Sequence, residues 1–385
     1  MSRLILTFFI LAAVLASEAA TADDWSRFRG PDGSGASAAK GLALTWEDGK
    51  NVLWEAKLPG RGASSIILVG KRAFVTCYSG YGLDRNKPGE KSGLKLHLVC
   101  YDARKGSKLW DQSVDSTENV QGYGRFVALH GYASSTPASD GLSVYTYFGP
   151  NGVLAYDLEG KLLWRKKLGK KTHVFGTANS PVLYENLVIV NAGVESGSLV
   201  GLDKKSGKVA WEASGMKSSW NTPSLVKAES GRIELIVNTK GKLRAYDPKT
   251  GAELWTCSAI NDYICPSIIS HAGTIYAIGG RSATAVAVRS YEVGIAELAD
   301  GRGSVLFATA PEVTACEAAK DCRATGVRTF ALERIEDLFY CVHSTPVISN
   351  RVLDPRHFET LQSQMACIAL PARFTVHRQV AGAGQ

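Results

Sequence analysis

The chain has 385 residues, of which 45% are hydrophobic and 21% are charged, and this composition excludes extensive disorder. Its net charge of +8 comes from basic residues scattered along the chain rather than gathered in one stripe, which argues against a nucleic-acid partner. The counts of 39 Gly and 14 Tyr against 3 Met favour short strands joined by tight turns over a helical bundle.

Residues 1–22 have the layout of a secretory signal peptide. A basic residue at position 3 precedes an apolar run over residues 4–15, and Ala20, Thr21 and Ala22 form a cleavage site before residue 23. The run is shorter than the roughly 18 to 20 residues that a membrane span requires. We therefore expect export to the periplasm, the cell surface or the medium, with no membrane span after cleavage. An uncleaved anchor is the alternative.

The 8 cysteines of an exported chain permit disulfides, although the fold is not expected to depend on them. Cys77 and Cys100 lie in two strand-like runs, 73–78 and 95–101, separated by a polar insert, so the sequence permits a bond between them across a hairpin. Cys257 and Cys265 are a second possible pair. The C-x-x-C and H-E-x-x-H motifs of common zinc sites do not occur in the sequence. We therefore predict no metal site.

A repeated motif organises the middle of the chain. Each copy contains an Asp, then a Gly three or four residues later, then a Trp four residues after the Gly. The Trp residues stand at intervals of 56, 54, 47 and 44, at Trp54, Trp110, Trp164, Trp211 and Trp255. A small residue followed by Pro opens each unit, at Pro137, Pro181, Pro223 and Pro266. Four strand-like runs in each period of about 45 residues are typical of a propeller blade.

The repeated residues have predicted structural roles. The Asp side chains are expected to accept hydrogen bonds from turn amides, at Asp102, Asp157, Asp203 and Asp247. The Gly that follows each Asp supplies a positive φ that closes the hairpin. Each Trp is expected to pack between neighbouring blades rather than to bind a ligand.

The pattern small-x-Asp-x-x-Ser/Thr-Gly-x-x-x-Trp resembles the repeat of the pyrroloquinoline-quinone-type propellers, which include quinoprotein alcohol dehydrogenases and the propeller lipoprotein of outer-membrane assembly. The segment from Trp25 to Gly35, WSRFRGPDGSG, resembles the opening of secreted bacterial members. The resemblance covers residues 25–289 and implies an all-β fold. It implies a β-propeller of four-stranded blades, about seven in the family form, of which five to six are recognisable here.

The resemblance also bears on cofactors. The enzymes of this superfamily hold the quinone over a Trp beside a calcium or lanthanide ion, commonly under a disulfide between adjacent cysteines. This chain has no adjacent cysteine pair, and no Cys follows the apolar run at the N-terminus until Cys77. We therefore expect no cofactor, with pyrroloquinoline quinone (PQQ) and calcium only if the chain is a dehydrogenase.

In a propeller, ligands are expected at the loops that lead from the outer strand of one blade to the inner strand of the next. Those loops are predicted at 113–132, 170–177, 213–221 and 258–263. They contain polar and aromatic side chains that fit a peptide or a sugar, namely Arg125, His130, His173, Trp220, Asn221, Asp262 and Tyr263. Solvated loop residues without a ligand are the alternative interpretation.

The repeat ends near residue 289. Lys outnumbers Arg by 22 to 13 up to that point and is outnumbered 1 to 8 beyond it, while Gly falls from 33 to 6. We assign residues 23–289 to propeller blades and 290–385 to a degenerate, divergent or frame-shifted segment. Divergent last blades, an appended helical module and a reading-frame error remain alternatives for this segment.

Our leading hypothesis is a non-catalytic exported propeller that acts as a binding or scaffold module for a protein or polysaccharide partner in the cell envelope. We assign no catalytic residue. The alternative is a quinone-dependent dehydrogenase that oxidises an alcohol or a sugar.

Overall fold

The computed structural model describes residues 24–39, 43–45, 50–116, 119–279, 281 and 284–289, and the backbone of 293–297 and 304–308. The predicted signal peptide over residues 1–22 lies outside the described residues, as does most of the segment 290–385. Within the described part of the chain, no helix has both the length and the hydropathy that a bilayer crossing needs.

Four antiparallel sheets follow one another, each with four strands in chain order. The first contains β1 (Ile67–Val69), β2 (Arg72–Ser79), β3 (Lys95–Asp102) and β4 (Lys108–Asp115). The second contains β5 (Ala138–Ser139), β6 (Ser143–Tyr147), β7 (Val153–Asp157) and β8 (Leu162–Lys166). The third contains β9 (Val182–Tyr184), β10 (Leu187–Ala192), β11 (Ser198–Asp203) and β12 (Val209–Ser214). The fourth contains β13 (Ser224–Lys227), β14 (Ile233–Thr239), β15 (Lys242–Tyr246) and β16 (Glu253–Ser258).

A fifth sheet has three strands, β17 (Ile269–His271), β18 (Thr274–Ile278) and β19 (Ala285–Arg289). A hairpin of β20 (Val293–Glu297) and β21 (Ser304–Ala308) lies within the segment 290–385. A single α-helical turn, α1 (Val127–His130), and short 3-10 helices at Lys91–Gly93 and Gly149–Asn151 complete the elements described. The prediction of an all-β propeller of four-stranded blades is confirmed.

The core lies between consecutive blades. Phe74 and Leu98 of the first blade share a buried cluster with Leu154 and Tyr156 of the second. Equivalent clusters join the second blade to the third, the third to the fourth, and the fourth to the fifth sheet. The middle strands are therefore apolar on both faces, as in the fully buried β10. The outermost strands, such as β12, are mostly exposed or half-buried, and within β12 only Trp211 is buried.

The repeated Trp residues connect each blade to the next, as predicted. The Trp164 indole lies against Gly207 of the following blade, where a Cβ added to the glycine would lie 2.6 Å from the ring. The indole Nε1 also donates a hydrogen bond to the Lys204 carbonyl at 2.8 Å. Trp54 and Trp110 make the same pair of contacts with the turns of the first and second blades. Trp255 differs, since its Nε1 donates to Glu234 in its own blade at 2.8 Å.

The repeated Asp residues also have their predicted roles. Asp102 Oδ1 accepts hydrogen bonds from the amides of Arg104 and Lys105 at 2.9 and 2.8 Å. These bonds lower the pKa of Asp102. Gly106 then adopts a φ of +69°, which an L side chain rarely tolerates, and the chain enters the outer strand.

The small residue before each Pro forms a further connection between blades. The amide of Thr136 donates to Ser180 Oγ, and the amide of Ser180 donates to Thr222 Oγ1, both at 2.9 Å. Ser65 and Ser267 continue this series at its two ends, at 3.1 Å. Because these residues close the loops between blades, the series holds the loop ends in fixed positions.

The disulfide that the sequence permits between Cys77 and Cys100 does not form, and both residues are free, buried thiols. Cys257 and Cys265, which the structure also describes, are not bonded to each other either. In the register of β2 and β3, Cys77 pairs with His97 while Cys100 pairs with Phe74. Residues 74 and 77 point to opposite faces of the sheet because side chains alternate along a strand. Cys100 lies in the cluster with Phe74, and Cys77 lies in a separate cluster on the other face.

Candidate functional site

Aromatic side chains from four successive loops between blades meet on one face of the propeller. The contributing loops span residues 116–137, 167–181, 215–223 and 259–268. We call this feature the aromatic surface, and it consists of Phe126, His173, Phe175, Trp220 and Tyr263. Phe175 is central, since its ring centroid lies 4.6 Å from Phe126, 5.5 Å from Trp220 and 5.6 Å from Tyr263. The four loops therefore form one continuous cluster.

Trp220 is the base of the aromatic surface. Only 5% of the residue is exposed, and its Nε1 donates a hydrogen bond to the Gly176 carbonyl at 3.0 Å. Its backbone amide donates to the carbonyl of Ile264 at 2.8 Å. The His173 ring packs edge-on against the indole at 4.9 Å. Trp220 is thus fixed by two neighbouring loops, while Phe126, which packs against Phe175, remains 42% exposed.

Two basic side chains lie against the Tyr263 ring. The Arg281 guanidinium lies 4.7 Å from the centre of the Tyr263 ring, and Lys240 Nζ lies 5.8 Å from it. Both distances are within the range of cation–π attraction. Asp262 holds this group in place, because its carboxylate accepts the amide of Tyr263 at 2.7 Å and the amide of Arg281 at 2.6 Å.

His130 joins the first loop to the second. Its Nε2 donates to the Phe175 carbonyl at 2.8 Å, so Nδ1 is left to accept the Ser134 hydroxyl at 2.5 Å. Burial lowers the pKa of His130, which favours this neutral form. His130 therefore positions the backbone of Phe175. Arg125, on the same loop, is exposed beside Phe126 and has a φ of +46°.

Asn221 lies beneath the surface and is 1% exposed. Its Nδ2 donates to Ser219 Oγ at 2.9 Å and to the Asn238 carbonyl at 2.5 Å, and its own carbonyl accepts Asn191 Nδ2 at 3.0 Å. The side chain is placed to fix the third loop rather than to contact a ligand.

The structure thus brings His173, Trp220 and Tyr263 together, while Asp262 and His130 support them. Sequence reasoning did not select Phe126, Phe175, Lys240 or Arg281. The signal available for Phe175 was an aromatic residue in an otherwise polar loop, two positions after His173. Lys240 lies in the turn between β14 and β15, which the loop-based reasoning did not consider.

A cavity of about 40 Å³ adjoins the aromatic surface and is lined by residues that include Gln121, Asn151, His173 and Thr177. Near it lies Glu195, which is 1% exposed and accepts a hydrogen bond from the Thr177 hydroxyl. Burial raises the pKa of Glu195, and the bond from Thr177 opposes this shift.

The residues that line this cavity do not fit a quinone with its calcium ion. Pockets for cofactors typically have volumes of roughly 300 Å³ or more, well above that of this cavity. Calcium takes six to eight oxygen ligands, as a rule including several carboxylates. The described residues contain no group of three or more His, Cys, Asp or Glu side chains suited to a metal ion.

Comparisons with known proteins place the chain among propeller repeat proteins. A family model described as outer membrane protein assembly factor BamB matches residues 95–304, which is more than half of the chain. Curated proteins gave no match.

Three solved structures illustrate the similarity. BamB from Moraxella catarrhalis is 17% identical over 62% of this chain and 64% of its own, with a TM-score of 0.41. Quinohemoprotein alcohol dehydrogenase from Comamonas testosteroni is 13% identical over 69% of this chain and 47% of its own, with a TM-score of 0.48. Quinohemoprotein alcohol dehydrogenase ADHIIG from Pseudomonas putida is 13% identical over 69% and 44%, with a TM-score of 0.43.

The chain spans less than two thirds of the length of each of these three structures. The family match, together with the four-stranded blades and their repeated Asp, Gly and Trp residues, gives one assignment. The chain belongs to the outer membrane protein assembly factor BamB family of pyrroloquinoline-quinone-like propeller repeat proteins.

Proposed function

We propose that this protein is a non-catalytic, exported propeller that binds another protein of the cell envelope through the aromatic surface. The observation that carries the proposal is the convergence of Phe126, His173, Phe175, Trp220 and Tyr263 from four separate loops. Loops on a rigid scaffold are the usual place for binding residues. Aromatic side chains are also enriched among the residues that dominate the energy of protein interfaces.

The aromatic surface combines a rigid base with an exposed rim. Trp220 is buried and hydrogen-bonded, whereas Phe126 and Val174 are 42% and 40% exposed. Exposed apolar groups that are contiguous often mark an interaction site. Because the base is fixed by hydrogen bonds between loops, little conformational entropy remains to be lost when a partner binds.

The family description and the N-terminal sequence support a partner in the envelope. The family is described as an outer membrane protein assembly factor, and residues 1–22 have the layout of an export signal. A protein partner follows from the family more directly than a polysaccharide does.

The experiment that tests this function is site-specific photo-crosslinking in the native host. A photoreactive phenylalanine analogue replaces Phe175, and a matched control carries it at Leu163 of β8, which is 45% exposed and lies on an outer strand. We expect illumination to yield an adduct with one envelope protein, identified by mass spectrometry, from position 175 and not from position 163. Equal adducts from both positions, or none from 175, would refute the proposal.

The dehydrogenase alternative has its own test. Purified protein is mixed with PQQ and calcium, and cofactor absorbance and dye-linked alcohol oxidation are recorded. Stoichiometric quinone binding with oxidation of the dye would overturn the non-catalytic assignment.

A further inference from the structure

We propose that the partner presents an extended, acidic segment to the aromatic surface, with its carboxylates against Arg281 and Lys240 and its apolar side chains on Phe175 and Tyr263. The inference rests on the function proposed above and specifies the chemistry of the partner. Four features of the surface support the inference. They are its positive charge, the hydrogen bonds that hold Asp262 within its loop, the hydrogen bonds made by polar groups in and beneath the surface, and its length.

The charge around the aromatic surface is strongly positive. Arg281 and Lys240 flank Tyr263, and the loops that form the surface carry further exposed basic residues at Arg125, Lys170, Lys171 and Lys217. Among the described residues of these four loops, the acidic side chain is Asp262. A partner segment with negative charge is therefore complementary to this face, and complementarity of charge raises both the association rate and the specificity.

Asp262, the acidic side chain among the described residues of these loops, is engaged by backbone amides. Its two carboxylate oxygens already accept the amides of Tyr263 and Arg281, at 2.7 and 2.6 Å. The backbone dipoles that surround it therefore stabilise its charge within the loop. The guanidinium of Arg281 lies over the Tyr263 ring, at 4.7 Å from the ring centre. A carboxylate of the partner would meet cations on the rim of the aromatic surface.

Several polar groups in and beneath the aromatic surface are engaged within the protein. The Trp220 indole N–H is bonded to Gly176, and both ring nitrogens of His130 have partners. Asn221 is buried and directs its amide N–H groups to neighbouring residues. Sugar recognition needs several polar side chains aimed outward, so these hydrogen bonds favour a peptide that binds through apolar and ionic contacts over a polysaccharide.

The length of the surface suits a few residues of an extended chain. The ring centroids run from Phe126 to Phe175 over 4.6 Å and from Phe175 to Tyr263 over 5.6 Å. An extended chain advances roughly 3.3 Å per residue, so at most about three residues span the path across these rings. Since alternate side chains of such a chain point in opposite directions, apolar residues that contact the rings would alternate with acidic residues at the rim.

The test uses the purified full chain and a phage-displayed library of random dodecapeptides. We expect selected peptides to be enriched in Asp and Glu together with apolar or aromatic residues. The double variant Lys240→Glu/Arg281→Glu should lose this acidic enrichment. The matched control is Lys105→Glu/Lys205→Glu, which reverses two exposed lysines in the turns between third and outer strands, and it should retain the enrichment.

One selected peptide, fluorescently labelled, then gives affinities by anisotropy. We expect binding at least tenfold weaker for the Lys240→Glu/Arg281→Glu variant and a decline with added salt in the unchanged protein. Phe175→Ala should also weaken binding at least tenfold while leaving its salt dependence in place. Circular dichroism and a thermal melt verify that each variant is folded.

Selected peptides without an acidic excess, or with an excess that survives charge reversal at 240 and 281, would overturn the inference. Absence of any enriched peptide, or competition by a neutral envelope polysaccharide instead, would overturn it as well. These outcomes concern only the acidic character of the partner. The proposed function is tested separately, by photo-crosslinking at position 175. A protein adduct there combined with non-acidic peptides would retain the function and discard the acidic partner.

Discussion

Replacing Gly207 by Ala tests whether the contact between Trp and Gly holds neighbouring blades together. Gly207 closes the turn before the outer strand of the third blade with a φ of +66°. The Trp164 ring of the preceding blade covers it so closely that an added Cβ would lie 2.6 Å from ring atom Cε3. The same indole donates a hydrogen bond to the Lys204 carbonyl, at 2.8 Å, so the ring cannot withdraw without losing that bond.

The expected loss of stability has two parts. An Ala held in the left-handed region costs roughly 1–2 kcal/mol. Overpacking against the indole adds about 1–3 kcal/mol. We therefore expect Gly207→Ala to lower the free energy of unfolding by about 2–5 kcal/mol. Gly197→Ala is the matched control, since Gly197 has a φ of +83° and no heavy atom within 4 Å of its would-be Cβ, so only the backbone part applies.

The assay is urea unfolding followed by circular dichroism for both variants, with and without Trp164→Ala. Removing the indole should reduce the cost of Gly207→Ala to that of Gly197→Ala, and the change in that cost is the coupling energy between positions 164 and 207. A Gly207→Ala variant that is no less stable than Gly197→Ala would refute the reasoning.

Three further predictions concern buried groups. Thr222→Val leaves the buried amide of Ser180 without its acceptor and should cost about 1–3 kcal/mol in urea unfolding, so an unchanged midpoint would contradict the series of bonds between blades. Because the pKa of Glu195 is raised in the folded protein, its contribution to stability should fall as pH rises above about 4.5. Glu195→Gln should therefore gain stability relative to the unchanged protein over that range, and a constant difference between the two pH profiles would count against this. Burial raises the pKa of Cys77 and of Cys100 to about 12, so neither thiol should react with a thiol reagent at about pH 8 until urea is added, and native labelling detected by mass spectrometry would contradict this.

The blades were predictable because their signals are local. The Asp, Gly and Trp of each repeat lie within about ten residues of one another, and each has one geometric task in a turn or at a blade interface. The strands that precede Asp203 and contain Trp211 accordingly lie where the repeat predicted them.

The disulfide that the sequence permits does not form, because pairing of the two cysteines depends on strand register. A shift of one residue in strand pairing moves a side chain to the opposite face of a sheet. The sequence placed Cys77 and Cys100 on adjacent strands correctly, but it did not determine that residues 74 and 100 are the partners.

The aromatic surface was predicted only in part. His173, Trp220 and Tyr263 were selected by residue type, but their contacts depend on Phe175, and its position depends on how loops about 45 residues apart converge. His130 is likewise a loop residue in the sequence, and only the burial and the bond to the Phe175 carbonyl identify it as a positioning group.

Hydrogen exchange measured with and without the partner identified by crosslinking tests the central claim most directly. If the partner binds the aromatic surface, amides in the loops 121–132, 172–177, 215–221 and 259–264 should gain protection. Turns at the opposite end of the blades, around residues 103–107 and 204–208, should exchange at unchanged rates. Protection in those turns, or none in the four loops, would contradict the account.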